Sequence, residues 1–132
     1  MKDLISMLDD HATTVAVVGA TDNAAKYGSV IYRDMKRKGY NVLAVNPNRE
    51  TVDGDRCYPD VASLPEAPDI IDLVVPGWVG IEVARQALAL GHMGVWVQPG
   101  ADSPQLIDFL QQNGFDYLAD ACIMVESRGR TR

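Results

Sequence analysis

The chain has 132 residues, 47% of them hydrophobic and 23% charged, with a net charge of −6. That length suits one domain with a single proper core, and the acidic balance excludes nonspecific nucleic-acid binding, which needs a basic surface. No apolar run approaches the roughly 20 residues of a membrane span, the acidic N-terminus is no signal peptide, and two cysteines make no disulfide framework, so a cytoplasmic protein without a membrane role is expected.

Asp3 to Asp10 reads as a short amphipathic helix with Leu4, Ile5, Met7 and Leu8 on its apolar side. Thr14 to Val18 is a β-branched strand that stops at Gly19. Tyr27 to Lys38 follows as a helix, with Val30, Ile31 and Met35 inward, and Gly39 sits where a helix C-terminal glycine belongs. Asn41 to Val45 is the second strand, ended by Asn46-Pro47-Asn48. Asp53-Gly54 marks a turn, and a short helical turn is expected around Val61 to Leu64. Ile70 to Val75 is the third strand, stopped by Pro76-Gly77. Trp78 to Leu90 carries Val79, Val83, Ala84, Ala87 and Leu88 at helical spacing, closed by Gly91. Val95 to Gln98 is a fourth strand, ended by Pro99-Gly100. Asp102 or Ser103 caps a further helix, Pro104 suits its first turn, and Phe115 to Leu118 is a short fifth strand. Ser127 to Arg132 reads as a polar, frayed tail.

Strand and helix alternate with short links, so the fold class is α/β: a doubly wound, mostly parallel, Rossmann-like sheet of about five strands in one domain, residues 1–132. Its strands are near-continuous apolar runs, as in sheets covered on both faces. Ligands of such sheets bind at the carboxyl ends of the strands. Those ends carry Gly19-Ala20-Thr21, Asn46-Pro47, Val75-Pro76-Gly77 and Gln98-Pro99-Gly100.

The first strand end is the leading site candidate. A buried strand that delivers a glycine turn to a helix presents backbone N–H groups to a phosphate. Gly19 permits close approach of the backbone, Thr21 offers a hydroxyl, and Gly28 is the next glycine, so G-x-G-x-x-G is absent. A tight strand-to-helix turn with no ligand is the plain alternative. Lys26 adds a charge if it is not simply solvated. The second strand ends on Asn46, where a nicotinamide-binding domain usually carries an acidic residue for the ribose, and Arg49 is placed to meet a phosphate unless it is a surface residue. Cys57 and Cys122 read as small core hydrophobes, Trp78 is a candidate pocket wall, and two histidines without a Cys pair or H-E-x-x-H predict no metal site.

Taken together, Val17-Val18-Gly19-Ala20-Thr21, Gly39-Tyr40, Val45-Asn46-Pro47, Tyr58-Pro59, Ser63-Leu64-Pro65, Gly94 to Gly100 and Asp120 to Glu126 resemble, in order, the small single-domain CoA-binding proteins. Their fold is also that of the N-terminal domain of the succinyl-CoA synthetase α subunit. The resemblance implies CoA as cofactor, with its diphosphate at the first glycine loop and its adenosine end beside the second strand. It implies contacts at Gly19, Ala20, Thr21, Asn46, Pro47 and Arg49, with Val75 and Pro76 toward the pantetheine arm. Ile71 to Gly77 looks closer to the synthetase version, yet the sequence stops before the domain in which the synthetase carries its phosphorylated histidine. The expectation is therefore a CoA- or acyl-CoA-binding protein without self-contained catalysis. The alternatives are an NAD(P)-binding redox module or a regulatory subunit of a larger acyl-CoA-using enzyme, and a protein partner or homo-oligomer stays open.

Overall fold

The computed structural model describes residues 3–130. Its elements in chain order are α1 (Leu4–Met7), β1 (Thr14–Val18), α2 (Tyr27–Arg37), β2 (Asn41–Val45), β3 (Thr51–Val52), β4 (Asp55–Tyr58), a 3-10 turn (Val61–Ser63), β5 (Ile70–Leu73), α3 (Gly77–Leu90), β6 (Gly94–Val97), α4 (Pro104–Gln112), β7 (Asp116–Leu118) and α5 (Ile123–Glu126). One sheet holds seven strands in the order β3-β4-β2-β1-β5-β6-β7. Every pairing is parallel except β3 with β4. The fold is the expected α/β, Rossmann-like one.

Successive strand residues point to opposite faces, and both faces are buried. Val15, Val17, Ile70 and Trp96 pack with Ile31, Tyr32 and Met35 of α2 and Ile123 of α5. Ala16, Val18, Ile71, Leu73, Val95 and Val97 pack with Ala84 and Ala87 of α3 and Leu106 and Leu110 of α4. A strand apolar at every position is the sequence consequence of that double cover.

The count of five strands is corrected to seven, because β3 and β4 were missed. They form a hairpin on Asp53 and Gly54, both at positive φ (51° and 78°), the geometry of a two-residue turn. Their sequence is short and polar, so it carries no strand periodicity; β4 is recruited by parallel pairing with β2, Ala44 to Cys57 and Val45 to Tyr58. The single turn of α5 is also too short to show a period.

Helix phases shift at two positions. Val30 is exposed and Tyr32 takes the core instead, its hydroxyl donating to Asp55 Oδ2 at 2.8 Å. Leu88 is likewise exposed, while Gly80, Ala84 and Ala87 form the buried stripe of α3. The first helix stops at Met7 rather than Asp10, with Asp3 as its N-cap. Ser127, which the sequence groups with a frayed tail, is fully buried and accepts from Lys38 Nζ at 2.8 Å. Thr131 and Arg132 of that tail lie outside the described residues.

Candidate functional site

The carboxyl ends of β1, β2, β5 and β6 open onto one cleft of about 1200 Å³. Its floor is built by backbone contact. Gly19 ends β1 at φ +102° and donates its N–H to Val45 O at 2.9 Å. A Cβ at Gly19 would stand 2.4 Å from Val74 O, and one at Gly28 would stand 1.9 Å from Gly19 O. The first turn of α2 is thus pressed onto the glycine turn, so a side chain at Gly28 would drive them apart and one at Gly19 would push the turn off the chain that follows β5.

Two helix N-termini meet the cleft, and neither is capped by a side chain. Lys26 holds the N-cap position of α2 and Pro76 that of α3, and no acidic residue lies in either first turn. Helix N-termini carry free N–H groups and a partial positive charge. By contrast α4, whose first turn lies beside the cleft, is capped by Ser103 Oγ, which accepts from Leu106 N at 3.1 Å. At α5 the N-cap residue, Cys122, makes no capping bond either, but Gln98 Oε1 accepts from Ile123 N at 2.9 Å.

The loops around them are held by short polar side chains. Thr21 is buried, and its Oγ1 accepts from Asn23 N at 3.1 Å. Asn23 Oδ1 accepts in turn from Ala25 N at 3.1 Å. Asn46 Nδ2 donates to Ala20 O at 2.9 Å, and Asn46 Oδ1 accepts from Asn48 N at 2.9 Å. Asn46 thereby ties the end of β2 to the glycine turn, a positioning role that the missing acidic residue did not announce.

Of the sequence candidates, Gly19, Thr21, Lys26, Gly28, Asn46, Pro47, Arg49, Val75 and Pro76 all line the cleft. Ala20 does not; it is fully buried and meets the site through its carbonyl. Among the described residues, Lys26 and Arg49 are the two cations that line the cleft, and Asp60 and Glu82 the two carboxylates. Arg49 Nη1 stands 3.8 Å from Asp22 Oδ2. The wall toward α3 is apolar, with Val61, Val75, Val79, Val83 and Ala101.

Sequence reasoning named Gln98 only as part of a strand end and read Cys122 chiefly as a core hydrophobe, and both line the cleft. Gln98 is buried at the end of β6, accepts from Ile123 N at 2.9 Å and donates from Nε2 to Cys122 Sγ at 3.4 Å. A polar residue closing an apolar strand before Pro99-Gly100 was the available signal. Cys122 lines the cleft, whereas Cys57 lies buried outside it with its thiol pushed up by burial. Trp78 is exposed and is not a cleft wall; neither histidine lines the cleft.

One layer below the floor lies Asp72, paired through its backbone with Val17 and Trp96. It is fully buried, and neither carboxylate oxygen has a hydrogen-bond partner among the described residues. Burial pushes its pKa well above the usual carboxylate range.

The model of a family described as the CoA binding domain matches residues 13–128, which takes in every element from β1 to α5. The chain belongs to the CoA-binding domain family. A conserved hypothetical protein from Pyrococcus furiosus superposes with a TM-score of 0.82 at 43% identity, covering 86% of this chain and 98% of that one. An ADP-forming acetate–CoA ligase of Archaeoglobus fulgidus is 39% identical over 66 residues, covering 50% of this chain but 10% of the ligase. An uncharacterised Bacillus subtilis protein is 29% identical over 132 aligned positions, covering 94% of this chain and 92% of its own length. This chain therefore corresponds to a small part of the ligase and to nearly all of the other two.

Proposed function

We propose that this chain binds CoA, free or acylated, across the carboxyl edge of its sheet. The observation that carries the reading is the Gly19–Gly28 backbone contact beneath two uncapped helix N-termini in one cleft. That is an anion cradle of N–H groups in which no side chain competes. CoA fits it: the diphosphate lies against Gly19, Ala20 and Thr21 and the first turn of α2, with Lys26 adding a charge. Asn46 and Pro47 border the adenosine, and Arg49 takes the ribose phosphate. The pantetheine arm runs past Val75 and Pro76 along the apolar wall, where an acyl group also finds contact. At about 1200 Å³ the cleft exceeds the roughly 300–1000 Å³ of ordinary ligand sites, in keeping with an extended cofactor.

Cys122 is the sole thiol on the cleft, and no histidine stands beside it there to act as base, so the reading is binding rather than catalysis. The ligase relatives support a service role, in which the bound CoA is presented to a larger acyl-CoA-using enzyme. Isothermal titration against CoA, NAD, NADP and ATP tests the proposal. CoA should bind at least about tenfold more tightly than NAD, a difference of about 1.4 kcal/mol. Tighter binding of NAD or NADP, or no binding of CoA, would overturn it.

A further inference from the structure

We propose that Asp22 is an internal competitor for the ligand's phosphate: its carboxylate holds the Arg49 guanidinium that a ribose phosphate takes on binding. The inference rests on the CoA reading above.

The two lining cations occupy different stations. Lys26 stands at the N-terminus of α2, beside the glycine turn, and Arg49 stands past the end of β2, its guanidinium facing Asp22 of the loop between β1 and α2. CoA carries phosphate at two places, the diphosphate and the ribose 3′-phosphate, so each cation has a phosphate to meet. Arg49 is already engaged. Its Nη1 lies 3.8 Å from Asp22 Oδ2, with the two side chains 36% and 50% exposed. That is longer than a charge-assisted hydrogen bond, which runs about 2.7–2.9 Å, and pairs this exposed are weak. A phosphate offers the guanidinium two parallel bonds and outcompetes such a partner.

Asp22 does not leave when Arg49 does. Its other oxygen, Oδ1, accepts the backbone N–H of Asp53 at 2.7 Å, which anchors the carboxylate to the β3–β4 hairpin. The incoming phosphate therefore displaces an ion pair and settles near a fixed negative charge. Both effects lower affinity for a ligand with a ribose phosphate. A ligand without one leaves the Asp22–Arg49 pair in place and is indifferent to Asp22.

The test is isothermal titration of CoA and dephospho-CoA, which lacks the 3′-phosphate, on the wild type, Asp22→Asn, Arg49→Gln and the double variant. Asparagine keeps the side-chain oxygen that accepts from Asp53, and melting curves confirm that each variant is folded. Asp22→Asn should tighten CoA about two- to five-fold, the range of exposed ion pairs, and leave dephospho-CoA unchanged. Arg49→Gln should bring CoA to or below the affinity of dephospho-CoA, and adding Asp22→Asn should then give a smaller gain than it gives in the wild type, because only the repulsion by the fixed charge remains to be removed. Weaker CoA binding in Asp22→Asn, or an equal change for both ligands, would show that Asp22 acts through the loop and would overturn the proposal. Equal wild-type affinities for the two ligands would overturn the proposal while leaving the CoA reading standing. Binding of neither ligand would overturn the CoA reading and this inference with it.

Discussion

Replacing Asp72 by asparagine removes an ionisable group from the centre of the sheet while keeping its shape. Asp72 has 0% exposure and two unpaired oxygens, and burial alone raises its pKa well above the usual value. In the unfolded chain the same carboxyl titrates near 3.9. Between those two pKa values the folded protein holds one proton more than the unfolded chain. Stability then falls by about 1.4 kcal/mol for each pH unit. The contribution is fully present below the unfolded pKa and is lost as pH rises through the folded one. Asparagine does not titrate, so the variant lacks this term. Urea unfolding at pH 4, 5, 6 and 7 should give similar stabilities for the two proteins at pH 4. The variant should then gain on the wild type by about 1.4 kcal/mol per unit until the folded pKa is passed. All other titrating groups are shared and cancel in the difference. Parallel pH profiles would refute the reasoning, because they would mean that Asp72 titrates alike in both states.

Three further outcomes follow from the cleft. Gly28→Ala places a methyl carbon 1.9 Å from Gly19 O and should lower the melting temperature and abolish CoA binding; Gly114→Ala, which meets open space and bears only its φ of +72°, should cost about 1–2 kcal/mol and leave binding intact, and equal losses would contradict the contact. Thr21→Ala should weaken CoA about five-fold, the worth of one neutral hydrogen bond of about 1 kcal/mol, whereas Thr21→Ser should restore it; no restoration would assign the loss to packing. Alkylation monitored by intact mass should label Cys122, on the cleft, faster than the buried Cys57, and CoA should protect Cys122; labelling of Cys122 that CoA leaves unchanged would place the ligand away from that corner.

The parts of the fold that were legible in the sequence are those where a period meets a stop. β1 is five buried residues, four of them apolar, stopped by Gly19, and α4 opens on Ser103-Pro104, with Ser103 as its cap. The hairpin was not legible beyond its Asp53-Gly54 turn, because two and four residues hold no period and the pairing of β4 with β2 is long-range. Val30 and Tyr32 show a different limit. Both are apolar enough for the core, and the choice is made by Asp55, a hydrogen-bond partner far away in sequence. In the candidate site, Gly19 and Gly28 were legible because each stands where a Cβ would strike backbone, Val74 O for Gly19 and Gly19 O for Gly28. Asn46 was read by what it lacks, while its two structural hydrogen bonds depend on where Ala20 and Asn48 lie. Gln98 and Cys122 come together through the α5 turn, which no local pattern announces.

A crystal structure of the protein grown with CoA reads out whether CoA lies in the cleft with its diphosphate on the glycine turn. Diphosphate oxygens should lie about 2.7–3.2 Å from backbone N–H groups of the Gly19–Thr21 turn and the first turn of α2, with the pantetheine arm against Val75 and Val79. Electron density for CoA elsewhere on the surface, or a cleft closed to it at saturating CoA, would rule out binding in this cleft.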